Sequence, residues 1–558
     1  MQQFSQTLTH GGGGVTPALK GFTLFSCSSL IFTGLLTVDL NAQTITITNN
    51  NRFINNKHYN KTLIVNSHLN TGRYSDQETS LGLYFTNIQK LDIQQGATID
   101  SWLDTQNITI NQMDISGQTA GFLLRRDTKI TTLDLKSGGR IHLMYMFNNV
   151  SIDTLNIEGT LTGWSRYSSY AGLNNQGGKI NTINVKQGGK IEQGVRNSGT
   201  IQTLTINNGT INGGITNNSR INNGINITNS TINGSIVNSG ANASTGNISI
   251  TETSHVSGNI VNQNGANFNN QITLDQNSKL GGISNTQGST MSGQLDLKGE
   301  VGTITNAGQF DSTLTLSNKV GEINNAEGGT ISNDITINNG GSVGTLANGG
   351  TMQNITIQQQ GKVENITNSG TMQAITNNAT TGTLTLTNSG GTIDKVTNGN
   401  GATATIRNQG KITNGIINDG GTLTVFNDFR KDESAANGYH TIGEIGKTAN
   451  GVHIENNNGG KLHLNAWYFN KEDFTTQEER KANALLVDGD YANISLENAF
   501  VSTHNLDVDE TYDAYSLIAD KNGNMIGDKI NNGQGIDINK LYSVSGIYTF
   551  ENYGGKGR

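Results

Sequence analysis

A short module recurs along most of the chain and constrains its fold more than any other feature of the sequence. Each copy has two apolar residues flanking one polar residue, then a turn with Gly or Asn, then another apolar residue. From Ile183 to Ile355, the steps between the starts of successive copies are 21, 21, 23, 24, 23, 19, 21 and 20. The copies begin at Leu91, Met113, Leu133, Leu155, Ile183, Leu204, Ile225, Ile248, Ile272, Leu295, Leu314, Ile335, Ile355 and Leu384. Strands of period 2 repeated at this distance predict one solenoid coil per copy.

A second marker keeps the same spacing. Asn348, Asn368, Asn388 and Asn408 recur at every twentieth position, and each begins an Asn-x-Gly turn. Asn tolerates left-handed turn geometry and can stack its amides, and Gly supplies positive φ where the chain bends. We therefore predict an all-β fold, a right-handed parallel β-helix (solenoid) with coils of about 20 residues. Its inward residues should form one buried stack, which includes Ile206, Ile227, Ile250, Leu274 and Leu297.

Composition supports strands and excludes one class of partner. The chain of 558 residues has 72 Gly, and its only proline and only cysteine are Pro17 and Cys27. The later chain therefore suits continuous strand pairing and forms no internal disulfide. That is compatible with a reducing cytoplasm or with a chain exported in an unfolded state. A net charge of -7, with 36 basic residues spread thinly, argues against nucleic acid as a partner.

The N-terminal segment indicates export. Lys20 precedes an apolar run over residues 21–36, and Leu40-Asn-Ala42 offers a small residue for cleavage before Gln43. This pattern is typical of a secretory signal peptide over residues 1–42. Two other interpretations are a lipoprotein box ending at Cys27, which too few apolar residues precede, and a buried helix. No later segment approaches eighteen consecutive apolar residues, so we expect no membrane-spanning helix in the mature chain.

Residue composition and repeat spacing divide the rest of the chain into three regions. Residues 43–175 should form irregular and early coils, and residues 176–426 the regular repeats. Residues 158–175 lengthen the step between Leu155 and Ile183 and predict a projecting loop, in which Trp164, Tyr167 and Tyr170 are candidate binding residues. From about Phe426 the chain becomes charged and aromatic. We interpret residues 427–558 as a C-terminal cap and folding nucleus, since a solenoid end exposes a strand edge and an apolar interior.

These features together resemble autotransporter passengers, especially the vacuolating-cytotoxin-like autotransporters of epsilonproteobacteria. The resemblance covers nearly all of the mature chain and lies in its composition and its repeat pattern. It implies secretion across the inner membrane and display at the cell surface or outer membrane, or release to the extracellular space. The family also carries a C-terminal translocator barrel that ends in an aromatic residue. The sequence up to Gly554–Arg558 lacks such strands, so we expect the contact with the outer membrane to come from a translocator not present in this chain.

A search for chemistry favours no enzyme, cofactor or metal site of known pattern. The chain has no Gly-x-Ser-x-Gly elbow, and Gly288–Gly293 places Thr290 where a nucleophilic serine would stand. None of the nine histidines shows His-Glu-x-x-His spacing, although His453 and His463 could share one face. Asp520–Asn524 imitates the start of a calcium loop, but Met525 replaces the required Gly, which favours a hairpin turn.

One acidic column stands out in the early coils. Asp92, Asp114 and Asp134 occupy the same slot of the module in three successive copies, and Asn156 and Asn184 continue it. In register, these carboxylates would stack on the outer face about 5 Å apart. Each neighbouring pair would repel by about 1 kcal/mol in water. We weigh three interpretations: a plain solvated surface, a cation site, and the acidic cluster of a pectate-lyase-like enzyme.

The function expected from this sequence is that of an adhesin or structural interaction rod at the bacterial surface. Its partners would be host-cell surface or matrix molecules or neighbouring bacteria. A secreted toxin is the first alternative, because the resembled family includes a pore-former, although residues 43–52 are polar and lack an apolar Gly-x-x-x-Gly segment. A polysaccharide-active β-helix enzyme is the second alternative.

Overall fold

A computed structural model describes most of the chain beyond the N-terminal segment. The described residues are 44–47, 53–55, 62–69, 81–84, 88–163, 171–431, 439–441, 443–469, 476–502, 513–544, 552–553 and 556–557. The predicted signal peptide and Trp164, Tyr167 and Tyr170 lie outside them. The chain divides into two compact units, Met1–Gly234 and Ser235–Arg558.

Each unit is a parallel β-solenoid with coils of about 21 residues, which confirms the predicted fold class. In the first unit, one sheet contains one long strand from each regular coil, and we call it the long-strand sheet. Its strands are Thr44–Ile47, Thr62–Val65, Ile88–Ile93, Thr109–Ile115, Lys129–Leu135, Ser151–Ile157, Lys179–Val185, Thr200–Asn207 and Arg220–Thr228.

The opposite face of the first unit is built mainly from shorter strands, and we call it the short-strand sheet. Its strands are Phe53–Asn55, His68–Leu69, Leu81–Tyr84, Thr98–Thr105, Gln118–Leu124, Arg140–Ile141, Met144–Met146, Thr160–Leu161, Leu173–Asn175, Lys190–Ile191, Val195–Asn197, Thr210–Asn212, Ile215–Asn217 and Thr231–Asn233. Two of these strands, Thr160–Leu161 and Leu173–Asn175, lie within the predicted loop 158–175 and pair in register with the coils beside them.

The second unit has the same two kinds of sheet. Its long-strand sheet contains Ile236–Ser239, His255–Gln263, Lys279–Asn285, Glu300–Asn306, Lys319–Asn325, Ser342–Asn348, Lys362–Asn368, Leu384–Asn388, Thr403–Asn408, Thr422–Asn427, Lys461–Asn465 and Ile494–Glu497. Its short-strand sheet contains Ser244–Thr245, Ile248–Thr251, Asn267–Phe268, Ile272–Leu274, Thr290–Met291, Leu295–Leu297, Gln309–Phe310, Leu314–Leu316, Thr330–Ile331, Ile335–Ile337, Thr351–Met352, Ile355–Ile357, Thr371–Asn377, Thr392–Asn398, Lys411–Ile412, Ile416–Asp419, Glu444–Ile445, Ile454–Asn457, Leu485–Gly489 and Ile518–Ala519.

Equivalent apolar residues stack from coil to coil inside each unit. Ile206 is paired with Ile227 in the first unit, and Leu274 is paired with both Ile250 and Leu297 in the second. All five side chains are at most 3% exposed. The predicted stacking is therefore confirmed within each unit, and burial of these side chains supplies most of the driving force for folding.

One copy of the module, Leu384–Leu386, lies on the other sheet from the copies that precede it. The stack after Ile355 continues through Ile375, whereas Leu386 is paired with Ile366 in the long-strand sheet. The expectation that each copy stacks on the one before it is therefore wrong for Leu384–Leu386. The reason is that both faces of this solenoid carry the same alternation of apolar and polar residues, so the local pattern does not identify the face.

Buried asparagines form ladders along the coil corners. In the first unit Asn175 donates to Asn197 and Asn197 to Asn217, each at 2.8 Å. The long ladder of the second unit runs through Asn238, Asn262, Asn285, Asn306, Asn325, Asn348, Asn368, Asn388 and Asn408 at 2.8–3.0 Å. A second ladder there joins Asn377, Asn398, Asn418 and Asn456. Many of these amides also donate to turn carbonyls, so the ladders satisfy polar groups that burial would otherwise leave unpaired.

Residues 427–558 were predicted to cap the solenoid, and the structure describes part of that region. Ile454–Asn457 and Lys461–Asn465 still pair in parallel with the preceding coils. The helix Gln477–Asn483 follows, with a capping box between Thr476 and Glu479. Further short elements are Tyr491–Asn493, Ala514–Leu517, Ile530–Gly533 and Ile538–Lys540. The additional strands are Phe429–Lys431, Tyr439–Thr441, Tyr468–Phe469, Ala499–Val501, Leu541–Ser543, Asn552–Tyr553 and Lys556–Gly557.

Candidate functional site

The acidic column lies on the outer face of the first unit's long-strand sheet. Asp114 is paired in register with Asp92 and with Asp134, and Asn156 and Asn184 continue the column. The carboxylates point outward because the residues on either side of each one are buried. Their side chains are 16–21% exposed. The predicted juxtaposition of the three carboxylates is therefore present.

Two lysines lie between the carboxylates of this column. Lys90 Nζ is 2.6 Å from Asp114 and 3.7 Å from Asp92. Lys136 Nζ is 2.7 Å from Asp134 and 3.8 Å from Asp114. The ammonium groups therefore occupy the bridging positions that a bound cation would take. The sequence analysis missed these lysines, although Lys90 and Lys136 each lie two residues from an aspartate of the column and so point to the same face.

Amide groups complete this network. Gln112 donates to Asp114 at 2.7 Å and to Asp134 at 3.1 Å, and Asn156 donates to Asp134 at 2.7 Å. Burial acts to raise the pKa of Asp134, but the hydrogen bonds from Lys136, Asn156 and Gln112 outweigh it and lower that pKa. The hydrogen bond to Asp114 raises the pKa of Lys90 in turn. Mutual neutralisation favours a structural ladder over a cation site or a catalytic acid.

The histidines singled out in the sequence occupy two different settings. His453 is part-buried between coils, where its Nδ1 accepts the Leu486 N–H at 3.0 Å, and burial lowers its pKa to about 4. His463 Nδ1 lies 2.7 Å from Ser495 Oγ, a pair that the sequence analysis did not predict. Among the described contacts, no carboxylate orients this imidazole. The pair therefore lacks the third group that activates a nucleophilic serine.

The two remaining candidates from the sequence, the serine-like motif at Thr290 and the calcium-loop-like segment at Asp520, are part of a strand and of a turn. Thr290 belongs to the strand Thr290–Met291, which pairs in register with Gln309–Phe310 of the next coil. Asp520 Oδ1 accepts the backbone N–H groups of Asn522 and Asn524 at 2.8 and 2.9 Å, which makes the segment a closed polar turn. In the described ranges, no group of three or more His, Cys, Asp or Glu is arranged to hold a metal ion.

A shallow groove of about 440 Å³ crosses several coils of the second unit. It is lined by small residues such as Ala347 and Gly349 and by polar side chains. Its lining is Asn324, Asn325, Ala326, Glu327, Ala347, Asn348, Gly349, Thr367, Asn368, Ser369 and Ser389. The amides of Asn325, Asn348 and Asn368 beneath it are engaged in the ladder. The groove therefore offers hydroxyl and amide contacts, with no aromatic ring in its lining.

No described helix is long and apolar enough to cross a membrane. The chain matches no protein-family model, and no curated protein or solved structure shows significant similarity to it.

Proposed function

We propose that the chain is the exported passenger of an autotransporter-like system and acts at the cell surface as an adhesive or structural interaction module. The observation that carries this proposal is the division of roles within each coil. Inward positions are nearly all apolar and hold the solenoid together. Outward positions are mostly polar: one column repeats Thr, as at Thr336, Thr356 and Thr376, whereas others vary from coil to coil, as at Thr305, Asn324 and Ala347. Such a scaffold can present different side chains on one extended surface without changing its core.

Two sequence features add support. The signal-like segment over residues 1–42 directs the chain to export, and the absence of proline and cysteine after residue 27 leaves a chain that can cross membranes unfolded. Hydrogen-bonded amide ladders, with no disulfide, then link neighbouring coils of the described chain. The function rests on this surface and on the resemblance to autotransporter passengers, since a fold alone does not define a function.

Surface display is tested in the bacterium that encodes the chain. Intact cells are treated with an external protease and probed with antibodies against residues 176–426, and a variant lacking residues 1–42 serves as the control. We expect the wild-type chain to be cleaved on intact cells and the control to stay protected inside. Protection of both chains would contradict the proposal.

Interaction is tested with beads that carry residues 43–558, which are offered to host cells, matrix proteins and other bacteria. Retention above that of uncoated beads is the expected result. Leakage of liposomes would instead indicate a toxin, and release of reducing or unsaturated sugars from polysaccharides would indicate an enzyme.

A further inference from the structure

We propose that the first unit carries a binding site for neutral pyranose sugars on the outer face of its short-strand sheet, built by Asp104, Arg125, Tyr145, Phe147 and Asn174. The inference rests on the proposed function, since it names the chemical class of the partner. We call this group of five side chains the aromatic cluster. It belongs to the sheet opposite the acidic column.

The cluster comes together because neighbouring coils are in register. Tyr145 is paired with Asn174 in one neighbouring coil and with Leu123 in the other, and Leu123 is paired with Asp104 in the coil beyond. Arg125 and Phe147 follow Leu123 and Tyr145 by two residues, so they form a second outward column beside the first. Their backbone N–H groups bond to the carbonyls of Thr105 and Leu124, which keeps this column in the ladder.

Aromatic rings form the centre of the cluster. The ring centroids of Tyr145 and Phe147 lie 4.7 Å apart at an interplanar angle of 45°. The guanidinium carbon of Arg125 lies 5.4 Å from the Phe147 centroid. Such rings offer large, rigid apolar faces, and one face of a pyranose presents C–H groups that pack on them.

Polar atoms around the rings lack hydrogen-bond partners. Asp104 Oδ1 lies 3.6 Å from Arg125 Nε, and neither atom makes a hydrogen bond, although both are buried. The Oδ1 atom of Asn174, a residue 2% exposed, is in the same state. Buried polar groups are normally satisfied, so the adjacent pair of unsatisfied atoms, Asp104 Oδ1 and Arg125 Nε, points to a missing ligand. Asn174 lies three coils from Asp104 along the same column and adds a further unsatisfied acceptor at its other end. A hydroxyl group donates and accepts at once and can therefore satisfy the carboxylate and the guanidinium together.

A second arginine–phenylalanine pair, in the other unit, shows what a self-satisfied cluster looks like. Arg407 lies 4.7 Å from the Phe426 centroid, and its Nη1 donates to both oxygens of Asp428 at 2.8 Å. Gln409 also donates to Asp428, at 2.9 Å. The carboxylate of this pair is already satisfied by the protein, so the pair provides a matched control with the same residue types.

Arg125 is the more exposed partner of the ion pair in the aromatic cluster. Its side chain is 43% exposed, whereas that of Asp104 is 11% exposed. A sugar that replaces the guanidinium over Phe147 would open access to the Asp104 carboxylate and leave Arg125 free to donate to a ring hydroxyl. Asp104 and Arg125 carry opposite charges, so the cluster offers a sialylated, sulfated or phosphorylated ligand no net attraction, and this favours a neutral sugar.

The experiment begins with the full chain on a panel of neutral, sialylated and sulfated glycans. The best-bound neutral glycan is then titrated calorimetrically against the wild type and the variants Phe147→Leu, Asp104→Asn and Phe426→Leu. We expect Phe147→Leu and Asp104→Asn to weaken binding at least tenfold and Phe426→Leu to leave the affinity unchanged. Phe147→Leu keeps an apolar side chain, and a melting temperature within a few degrees of the wild type shows that its fold is intact.

Binding of charged glycans alone, no glycan binding, or equal losses in Phe147→Leu and Phe426→Leu would overturn the inference. Its failure is distinguishable from failure of the proposed function. If the chain is displayed at the surface and the wild type and Phe147→Leu retain cells equally well, only the sugar site is contradicted. If the chain stays inside the cell, the proposed function is contradicted, whatever the affinity of the chain for glycans.

Discussion

At the level of single residues, the buried asparagines link neighbouring coils through hydrogen bonds between their side-chain amides. Asn348 accepts from Asn325 and donates to Asn368, each at 2.8 Å, and also donates to the carbonyls of Gly350 and Thr371. The glycines beside the ladder are required for space: a Cβ on Gly370 would lie 2.1 Å from the Gly350 carbonyl oxygen. This corner of the coil therefore needs an amide side chain next to a residue without a side chain.

Replacing one ladder amide tests this account. Asn348→Ala should lower the free energy of unfolding by about 1–3 kcal/mol, because it removes the donor to the buried Asn368 Oδ1 and one of the acceptors of the Asn325 amide. Urea unfolding followed by circular dichroism measures the change. The control is Asn365→Ala, at an exposed position of the neighbouring coil. Equal midpoints for Asn348→Ala and the control would show that the ladder contributes no stability.

The part-buried His453 predicts a dependence of stability on pH. Burial lowers the pKa of His453 to about 4 from its ordinary 6.5, so the unfolded chain binds the proton more tightly than the folded one. The free energy of unfolding therefore keeps its full value above pH 6.5 and decreases as the pH falls toward 4. The total decrease caused by protonation of His453 is about 3 kcal/mol. Chemical unfolding at pH 7.5 and pH 4.5 should show a smaller loss in His453→Gln than in the wild type. The exposed His255→Gln should behave as the wild type does, and an unchanged loss in His453→Gln would place the acid sensitivity elsewhere.

Among the structural elements, the acidic column shows how adjacent strands compensate like charges. Three stacked carboxylates on one sheet face repel one another, and cross-strand partners of opposite charge offset the repulsion. Lys90 and Lys136 each contact two of the three aspartates. The lysine contacts argue against a cation site, and calcium binding by the wild type is the alternative that the following experiment tests.

Removing the lysines tests that interpretation. The double variant Lys90→Gln/Lys136→Gln should melt at a lower temperature than the wild type at pH 7.5, and millimolar calcium should restore part of the loss, since a ligand that binds only the folded state stabilises it. Calcium should leave the melting temperature of the wild type unchanged. Lys298→Gln is the control, because Lys298 pairs only with Asp296 among its described ion-pair contacts and is 61% exposed. A calcium-induced rise in the wild type, absent from a triple Asp→Asn variant, would instead establish a native cation site.

For the molecule as a whole, the similarity of successive coils raises a problem of register. A slip by one whole coil preserves almost every apolar contact, so the repeats alone specify a weak starting point for folding. The C-terminal region differs from them: Trp467, Tyr468 and Phe469 are buried at 3–5% exposure, and the ring centroids of Phe500 and Tyr542 lie 5.6 Å apart. This region also contacts the repeats directly, because Ile454 is paired with Ile416.

Deleting residues 427–558 should therefore slow or prevent refolding of residues 43–426 and leave them sensitive to protease. The physical reason is that the deletion removes both the unique aromatic core and the strands that cover the last repeat. Refolding after dilution from urea, followed by circular dichroism and limited proteolysis, measures the effect. Refolding of the truncated chain at the full-length rate would show that this region only covers an edge.

The fold class, the coil length and the inward stack of each unit could all be predicted from the amino-acid sequence. They follow from two local periods, the alternation along a strand and the spacing of about 20 residues between copies, and neither needs tertiary information. The juxtaposition of Asp92, Asp114 and Asp134 followed from the same spacing. The stacking of amides could be anticipated because Asn348, Asn368, Asn388 and Asn408 recur at one position of the repeat.

Which outward side chains meet became clear only from the three-dimensional arrangement of the coils. Both faces carry the same alternation, so the face of Leu384–Leu386 could not be identified from its pattern. The salt bridges of Lys90 and Lys136, the pair of His463 with Ser495, and the aromatic cluster all join residues in neighbouring coils or on one surface. Their contacts depend on turn lengths and side-chain rotamers, which vary from coil to coil and which no repeat period encodes. The repeat thus specifies the solenoid scaffold. The length of each turn and the rotamers of the outward side chains decide which of those side chains meet on its surface.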